Sequence, residues 1–198
     1  MSTPAELFLA GEACLAEGHF AQALQHYQHI SDLGPQTYLL SHRIGYCLSK
    51  TDTHAQALLY LKQALQQNPS YHEIHHTLAE IYTYHLIDFE QAKTHWLRYL
   101  AAFPTQANAW DILAHVLYQR LEFAAALAAY ERAFALQPDW PTLQRLLYTS
   151  LKTSPDLAMH RQRAEHHVNT YLKQADYPQY SHTQRAPDPA RRLKIAYL

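Results

Sequence analysis

His72, Glu73 and His76 stand in the order His-Glu-x-x-His. On a helix that spacing presents two imidazoles to one zinc ion and a carboxylate as general base, the makings of a metal-assisted hydrolase. The surroundings favour a plainer reading. Residues 72–76 follow Asn68-Pro69-Ser70, so they open a helix rather than lie inside a long buried one, and no third ligand is evident downstream. Glu73 then belongs to an exposed polar helix start, at a capping position. His26/His29 and His166-His167 read as solvated faces in the same way. Cys14 and Cys47 fall at apolar-periodic positions, where a buried thiol behaves as a small hydrophobe. There is no glycine-rich phosphate loop, no Ser/His/Asp arrangement and no Cys/His metal spacing. No catalytic residue, metal centre or cofactor is expected.

The elements that carry these residues follow a period. Residues 107–138 read Trp110-x2-Leu113-Ala114-x2-Leu117, then Ala126-x3-Tyr130-x2-Ala133, then Pro138. Similar slots recur upstream. A marker Ala stands at 23, 57, 92 and 126, and a marker Pro at 35, 69, 104 and 138; both series step by 34, 35 and 34. Two independent series in one phase mark a helix–turn–helix repeat. The chain resembles the tetratricopeptide repeat (TPR) family over roughly residues 4–140. That resemblance implies an all-α fold: a TPR α-solenoid of antiparallel helix pairs in a right-handed superhelix, here with a short C-terminal extended segment.

Composition agrees with a packed helical chain. Hydrophobic residues make up 48% of the 198, too many for wholesale disorder. The formal net charge of −1 argues against a phosphate-backbone binder, which carries a basic face, so no nucleic-acid partner is expected. The 15 histidines would turn the balance basic on modest acidification. No long apolar run and no basic-then-hydrophobic N-terminus occurs. Neither a membrane span nor a signal peptide is expected, and a cytoplasmic location is the default.

Along the chain, four repeats are expected at residues 4–36, 37–70, 71–105 and 106–140. Thr3, Pro4 and Glu6 form a capping box for the first helix. Gly18 ends that helix, and Gly34, as a left-handed cap, with Pro35 ends the second. Gly11 and Gly45 sit inside helices despite a cost of about 1 kcal/mol relative to Ala, because paired helices touch there. Ala79 and Ala114 hold the same slot in the later repeats. Repeat three carries one extra residue, placed in the turn 84–89, and Ser70 to Glu73 cap its first helix. Residues 141–175 read as a degenerate fifth pair that caps the stack. Its first helix has the apolar face Leu143, Leu146, Leu147 and Leu151. Its second, starting at Ser154-Pro155, has Leu157, Ala164, Val168 and Leu172. Tyr60, Trp96 and Tyr130, on second helices, are packing residues. Residues 176–191 are a linker with Pro178, Pro187 and Pro189. Residues 192–198 alternate Leu193, Ile195 and Tyr197 like a first strand of a further domain.

In TPR arrays the first helices line the concave face. Counting from the slots places His42, Tyr46 and Lys50, then His76, Glu80 and Tyr84, then Asp111, His115 and Gln119 in a peptide-binding groove. Phe8, Glu12, Gln144 and Tyr148 extend it. The same phase puts His72 and Glu73 on the groove side. A spacing of about four residues keeps each set on one helical face. Tyr and His offer flat apolar area with a polar tip, which suits a protein or peptide partner. Self-association through the solenoid is left open. Chaperone-binding TPR domains hold a C-terminal carboxylate with Lys and Asn; here those slots hold Phe8/Glu12, His42/Tyr46 and His76/Glu80, so that mode is not expected. A second resemblance lies at the C-terminal edge. Arg192, Leu193, Lys194, Ile195, Tyr197 and Leu198 are similar to the entry of the catalytic region in O-GlcNAc transferase/SPINDLY-like glycosyltransferases, with Ala196 where Gly is usual. It implies a substrate-recruiting arm whose catalytic residues lie outside this chain. Of the groove asparagines that grip peptide backbone in that family, only Asn108 has a counterpart. The alternative is a free-standing TPR adaptor.

Overall fold

The computed structural model describes residues 3–34, 36–153 and 156–174. Among them the chain is all helical: α1 (Pro4–Ala16), α2 (Phe20–Leu33), α3 (Tyr38–Lys50), α4 (His54–Gln67), α5 (Glu73–Glu80), α6 (Phe89–Ala102), α7 (Ala107–Gln119), α8 (Phe123–Leu136), α9 (Trp140–Thr153) and α10 (Leu157–Gln174). Each odd-numbered helix packs on the even-numbered helix that follows it, and successive pairs stack. The fold is the expected TPR α-solenoid. Residues 176–198, with the expected linker and strand, lie outside the described residues.

Small residues set the spacing within a pair. Ala23, Ala57, Ala92 and Ala126 are fully buried, as are Ala79 and Ala114 opposite. Around these contacts the large apolar side chains fill one continuous core. It runs through Tyr27, Ile44, Leu61, Leu78, Trp96, Leu113, Tyr130, Leu143 and Leu146. Fully burying a side chain of this kind contributes about 1.5–3 kcal/mol. Because each pair buries its face mainly on its neighbours, that core is also what fixes the register of the stack.

The turns between paired helices share one device. Gly18, Asp52, Ile87 and Leu121 all have left-handed backbone, with φ of 76°, 57°, 54° and 61°. Those positions step by 34, 35 and 34, like the marker residues. In the first, second and fourth pairs the next amide reaches back five residues: His19 to Cys14 (2.8 Å), Thr53 to Leu48 (3.2 Å) and Glu122 to Leu117 (3.0 Å). This closure satisfies carbonyls left open at the helix end. It holds even a branched side chain in a conformation that costs about 1–2 kcal/mol outside glycine.

The third pair departs from that pattern, and the reason corrects one expectation. The extra residue is not taken up in a surface turn. Residues Ile81–His85 form a π-helical turn that continues α5. Leu86 N–H donates to the Ile81 carbonyl at 3.0 Å, and Asp88 N–H to the Tyr82 carbonyl at 2.9 Å, six residues back instead of five. Thr83 Oγ1 stitches the turn by donating to the Ala79 carbonyl (2.6 Å) and accepting from Trp96 Nε1 (3.0 Å).

Other local expectations divide. Thr3 and Glu6 make the capping box, with hydrogen bonds of 3.3 and 2.9 Å. Ser70 caps nothing. α5 starts only at Glu73, because the Asn68 side chain accepts from the Ser70 amide (3.2 Å) and turns the chain there first. Gly34 is extended, with φ of −169°, not left-handed. On α9, Leu143 and Leu146 are buried and Leu147 partly so, but Leu151 is 55% exposed. α10 docks through Tyr171 against Trp140, His167 against Phe134 and Arg163 beside Glu131, while Leu172 is 39% exposed.

Candidate peptide-binding groove

The first helices, α1, α3, α5, α7 and α9, form a wall laced by ion pairs. Glu12 on α1 accepts from Arg43 on α3 (2.8 Å) and also from the Tyr27 hydroxyl (2.5 Å). Burial, then that carboxylate, drives the Tyr27 phenol strongly upward, so it is a donor at any working pH. Lys50 on α3 meets Glu80 on α5 (3.1 Å), with His76 Nδ1 3.8 Å from the same carboxylate. Asp111 on α7 accepts from Arg145 (2.8 Å) and Thr142 (3.2 Å) on α9. Partly exposed pairs of this kind contribute about 0–1 kcal/mol each. Their larger effect is to hold charged groups of the wall in fixed places. Between α5 and α7 no ion pair occurs among the described residues; Tyr84 stands there, 53% exposed. The carboxylates of Glu80 and Asp111 add to partial burial in raising its phenol. Pairs three and four are instead fastened at the α7–α8 turn. There Arg120 meets Glu90 and Glu122, and Lys93 meets Glu122 (2.6 Å).

His42, Tyr46 and His76 come together. With Arg43, Glu73 and Thr77 they line a cavity of about 300 Å³ between α3 and α5, closed on one side by Tyr99 of α6. His42 forms the floor. It is only 5% exposed, its Nε2 lies 3.4 Å from Thr77 Oγ1, and its ring meets Tyr71 edge-on. Burial and the nearby Arg43 push its pKa down to about 4, so the floor is an uncharged imidazole. His76 stands edge-on to Trp96 and Tyr99, and burial lowers its pKa too. Tyr46 is half-buried beside Phe20, with Lys50 Nζ 5.3 Å from its ring centroid. The cavity therefore offers three neutral aromatic rings and Tyr99, rimmed by one guanidinium and one carboxylate.

The remaining expected residues lie farther along the wall. Asp111 lines a second cavity of about 150 Å³ with Asn108, Thr142 and Arg145. His115 and Gln119 sit together, 3.4 Å apart. Tyr148 is 56% exposed beside Tyr118. Arg43, Thr77 and Tyr99 were absent from the sequence-derived set. Arg43 and Thr77 adjoin core positions and Tyr99 belongs to a second helix. Only the charge of Arg43, opposite Glu12, was a usable signal.

The His-Glu-x-x-His stretch comes apart. Glu73 and His76 face the cavity just described, but His72 does not. It opens with His75 and Arg98 onto a different cavity, of about 460 Å³, between α4 and α6. There His75 Nδ1 lies 3.0 Å from His95 Nδ1, a contact that requires one bare nitrogen and one N–H. Burial holds both pKa values down to about 4. The placement of His72 on the groove side is thus corrected, because the helix starts later than its pattern suggested. Cys47 is fully buried and its thiol pushed up to about 12; Cys14 is half-buried, and both are free.

Solved structures supply the comparison. MamA 41-end from Desulfovibrio magneticus RS-1 superposes with a TM-score of 0.71 at 16% identity, covering 91% of this chain and 99% of that one. A further MamA crystal structure gives 0.70 at 17% identity over 93% and 98%. YrrB, described as a TPR protein with an unusual peptide-binding site, gives 0.59 at 18% identity over 71% and 72%. The chain has the TPR solenoid fold. No family model matches the sequence, and no curated protein matches it. No described helix is long and apolar enough to cross a membrane.

Proposed function

We propose that this chain is a protein-binding scaffold that grips an extended peptide segment along its first-helix wall. The observation that supports this most is the open cavity between α3 and α5, where neutral rings of His42, Tyr46, His76 and Tyr99 stand beside Arg43 and Glu73. Rigid rings cost little entropy when they pack on a ligand. The Glu73 carboxylate can accept from a backbone or side-chain donor of the peptide. The wall's cations are engaged with carboxylates, so an apolar or aromatic residue flanked by polar ones suits it better than a bare terminal carboxylate. The likeness to a peptide-binding TPR structure, at 18% identity, supports the fold, and the lining of this cavity supports the site.

The test is peptide selection against the purified chain, followed by affinity measurement on Tyr46→Ala and His76→Ala. Both should bind selected peptides at least about tenfold more weakly with unchanged helical circular dichroism, as groups central to an interface do. Equal affinity in both variants would remove the groove from consideration.

The recruiting-arm context rests on residues 192–198 alone. A free-standing scaffold fits the fold and the structural neighbours at least as well. A reading frame that continues past Leu198 into a Rossmann-type domain would favour the arm; a stop codon would favour the scaffold.

A further inference from the structure

Asp52, His54 and His85 each bring one ligand atom to within 4.8 Å of the other two, and among the described residues no other trio of His, Cys, Asp or Glu does so. Asp52 Oδ1 lies 3.6 Å from His54 Nε2, and the His54 and His85 rings stack at 3.8 Å, 27° apart. We propose that these three residues bind a divalent transition-metal ion of the imidazole-binding class, zinc being the probe, and that the ion staples the second helix pair to the third.

Backbone features, not chance surface proximity, place each donor. Asp52 occupies the left-handed position of the α3–α4 turn. His54 is the first residue of α4. His85 ends the π-helical turn, the place where the third pair absorbs its extra residue.

The chain's own repeats show what these slots hold when no ion is served. The residue that opens the second helix is Phe20 in pair one, Phe89 in pair three and Phe123 in pair four; only pair two has histidine. The slot of Asp52 holds Gly18, Ile87 and Leu121 elsewhere. Packing at this corner is satisfied by an aromatic hydrocarbon three times, so it does not require an imidazole.

The imidazole also sits badly on its own. His54 Nδ1 is buried with no hydrogen-bond partner, and its Nε2 is beyond hydrogen-bond reach of Asp52. The Nε2 that faces Asp52 thus has no hydrogen bond to that carboxylate to give up when it takes an ion.

Two imidazole nitrogens and one carboxylate, with no thiolate, suit Zn²⁺, Co²⁺ or Ni²⁺ better than Mg²⁺ or Ca²⁺. Tetrahedral bonds of about 2.0–2.1 Å bring ligand atoms to roughly 3.3 Å of one another, so to complete the site the His85 ring must turn out of its stack on His54 and Asp52 must swing in. Both are exposed, which leaves them free to rotate and leaves a fourth position to water. This site shares no residue with His72, Glu73 and His76.

The experiment uses tag-free full chain stripped with chelator, titrated with zinc by calorimetry and by melting temperature. The parent should bind one zinc and melt at a higher temperature with zinc but not with magnesium. His85→Ala and Asp52→Asn should each weaken that binding at least about tenfold and abolish the melting shift. Both changes fall on exposed side chains, and Asn tolerates the left-handed backbone at position 52, so each variant should fold. Absence of saturable zinc binding overturns the proposal. So does affinity within twofold of the parent in both variants, which would assign the zinc to other histidines.

Discussion

Gly45 and Leu61 approach so closely that a Cβ on the glycine would lie 2.7 Å from Leu61 Cγ and 3.2 Å from the Ala57 carbonyl oxygen. The second contact is with backbone, which cannot swing aside. Overpacking here costs about 1–3 kcal/mol. An alanine recovers about 1 kcal/mol of helix propensity, so Gly45→Ala should be mildly destabilising. Gly45→Leu should lower the melting temperature by several degrees or more. A melting temperature unchanged in the leucine variant would mean that α3 and α4 are separated at this point.

Trp96 Nε1 donates to Thr83 Oγ1 from a fully buried ring. Trp96→Phe leaves that hydroxyl without its donor and a gap beside the π-helical turn. The expected loss is about 1–3 kcal/mol, read as a lower urea midpoint. A midpoint equal to the parent's would show that the π-helical turn does not depend on the indole.

His42, His75 and His95 all have pKa values held near 4, below the usual 6.5. The unfolded chain therefore binds more protons than the folded one between those values. Stability is fully present above about pH 6.5 and is lost as pH falls toward 4, at no more than about 1.4 kcal/mol per pH unit for each histidine. Melting temperatures from pH 7.5 to 4.5 should be flat and then fall. Replacing His95 by Gln should flatten the slope; an unchanged slope would locate the titration elsewhere.

Thiol labelling should be biphasic. Cys14 is half-buried and reacts in the native state, while Cys47 is fully buried with its thiol pushed up to about 12 and waits for unfolding. Two equally fast thiols would contradict the packing of α3.

Particular residues show what the sequence made legible. Ala23, Ala57, Ala92 and Ala126 were readable because a helix pair closes only on a small side chain, and that demand repeats every turn of the stack. His42, Tyr46 and His76 could be brought to one surface by counting along helical faces. The position of the extra residue could not be read. Periodicity reports a change of phase, and both a longer turn and a π-helical turn produce it. Ser70 looked like a cap because the competing Asn68 side chain is invisible to a three-residue signature. Asp52, His54 and His85 carried no signal at all. Thirty residues separate the second histidine from the first, and only the stacking of two hairpins brings them together.

The ladder of charges on the first-helix wall has one gap, at Tyr84, while Arg120, Glu90, Glu122 and Lys93 fasten the same two pairs at the α7–α8 turn. A strip secured on one margin and loose on the other bends like a book about its spine. A guest entering between Glu80 and Asp111 would have no ion pair across that join to break. Among the described residues, that join beside Tyr84 is where a change of curvature would cost the wall the fewest ion pairs.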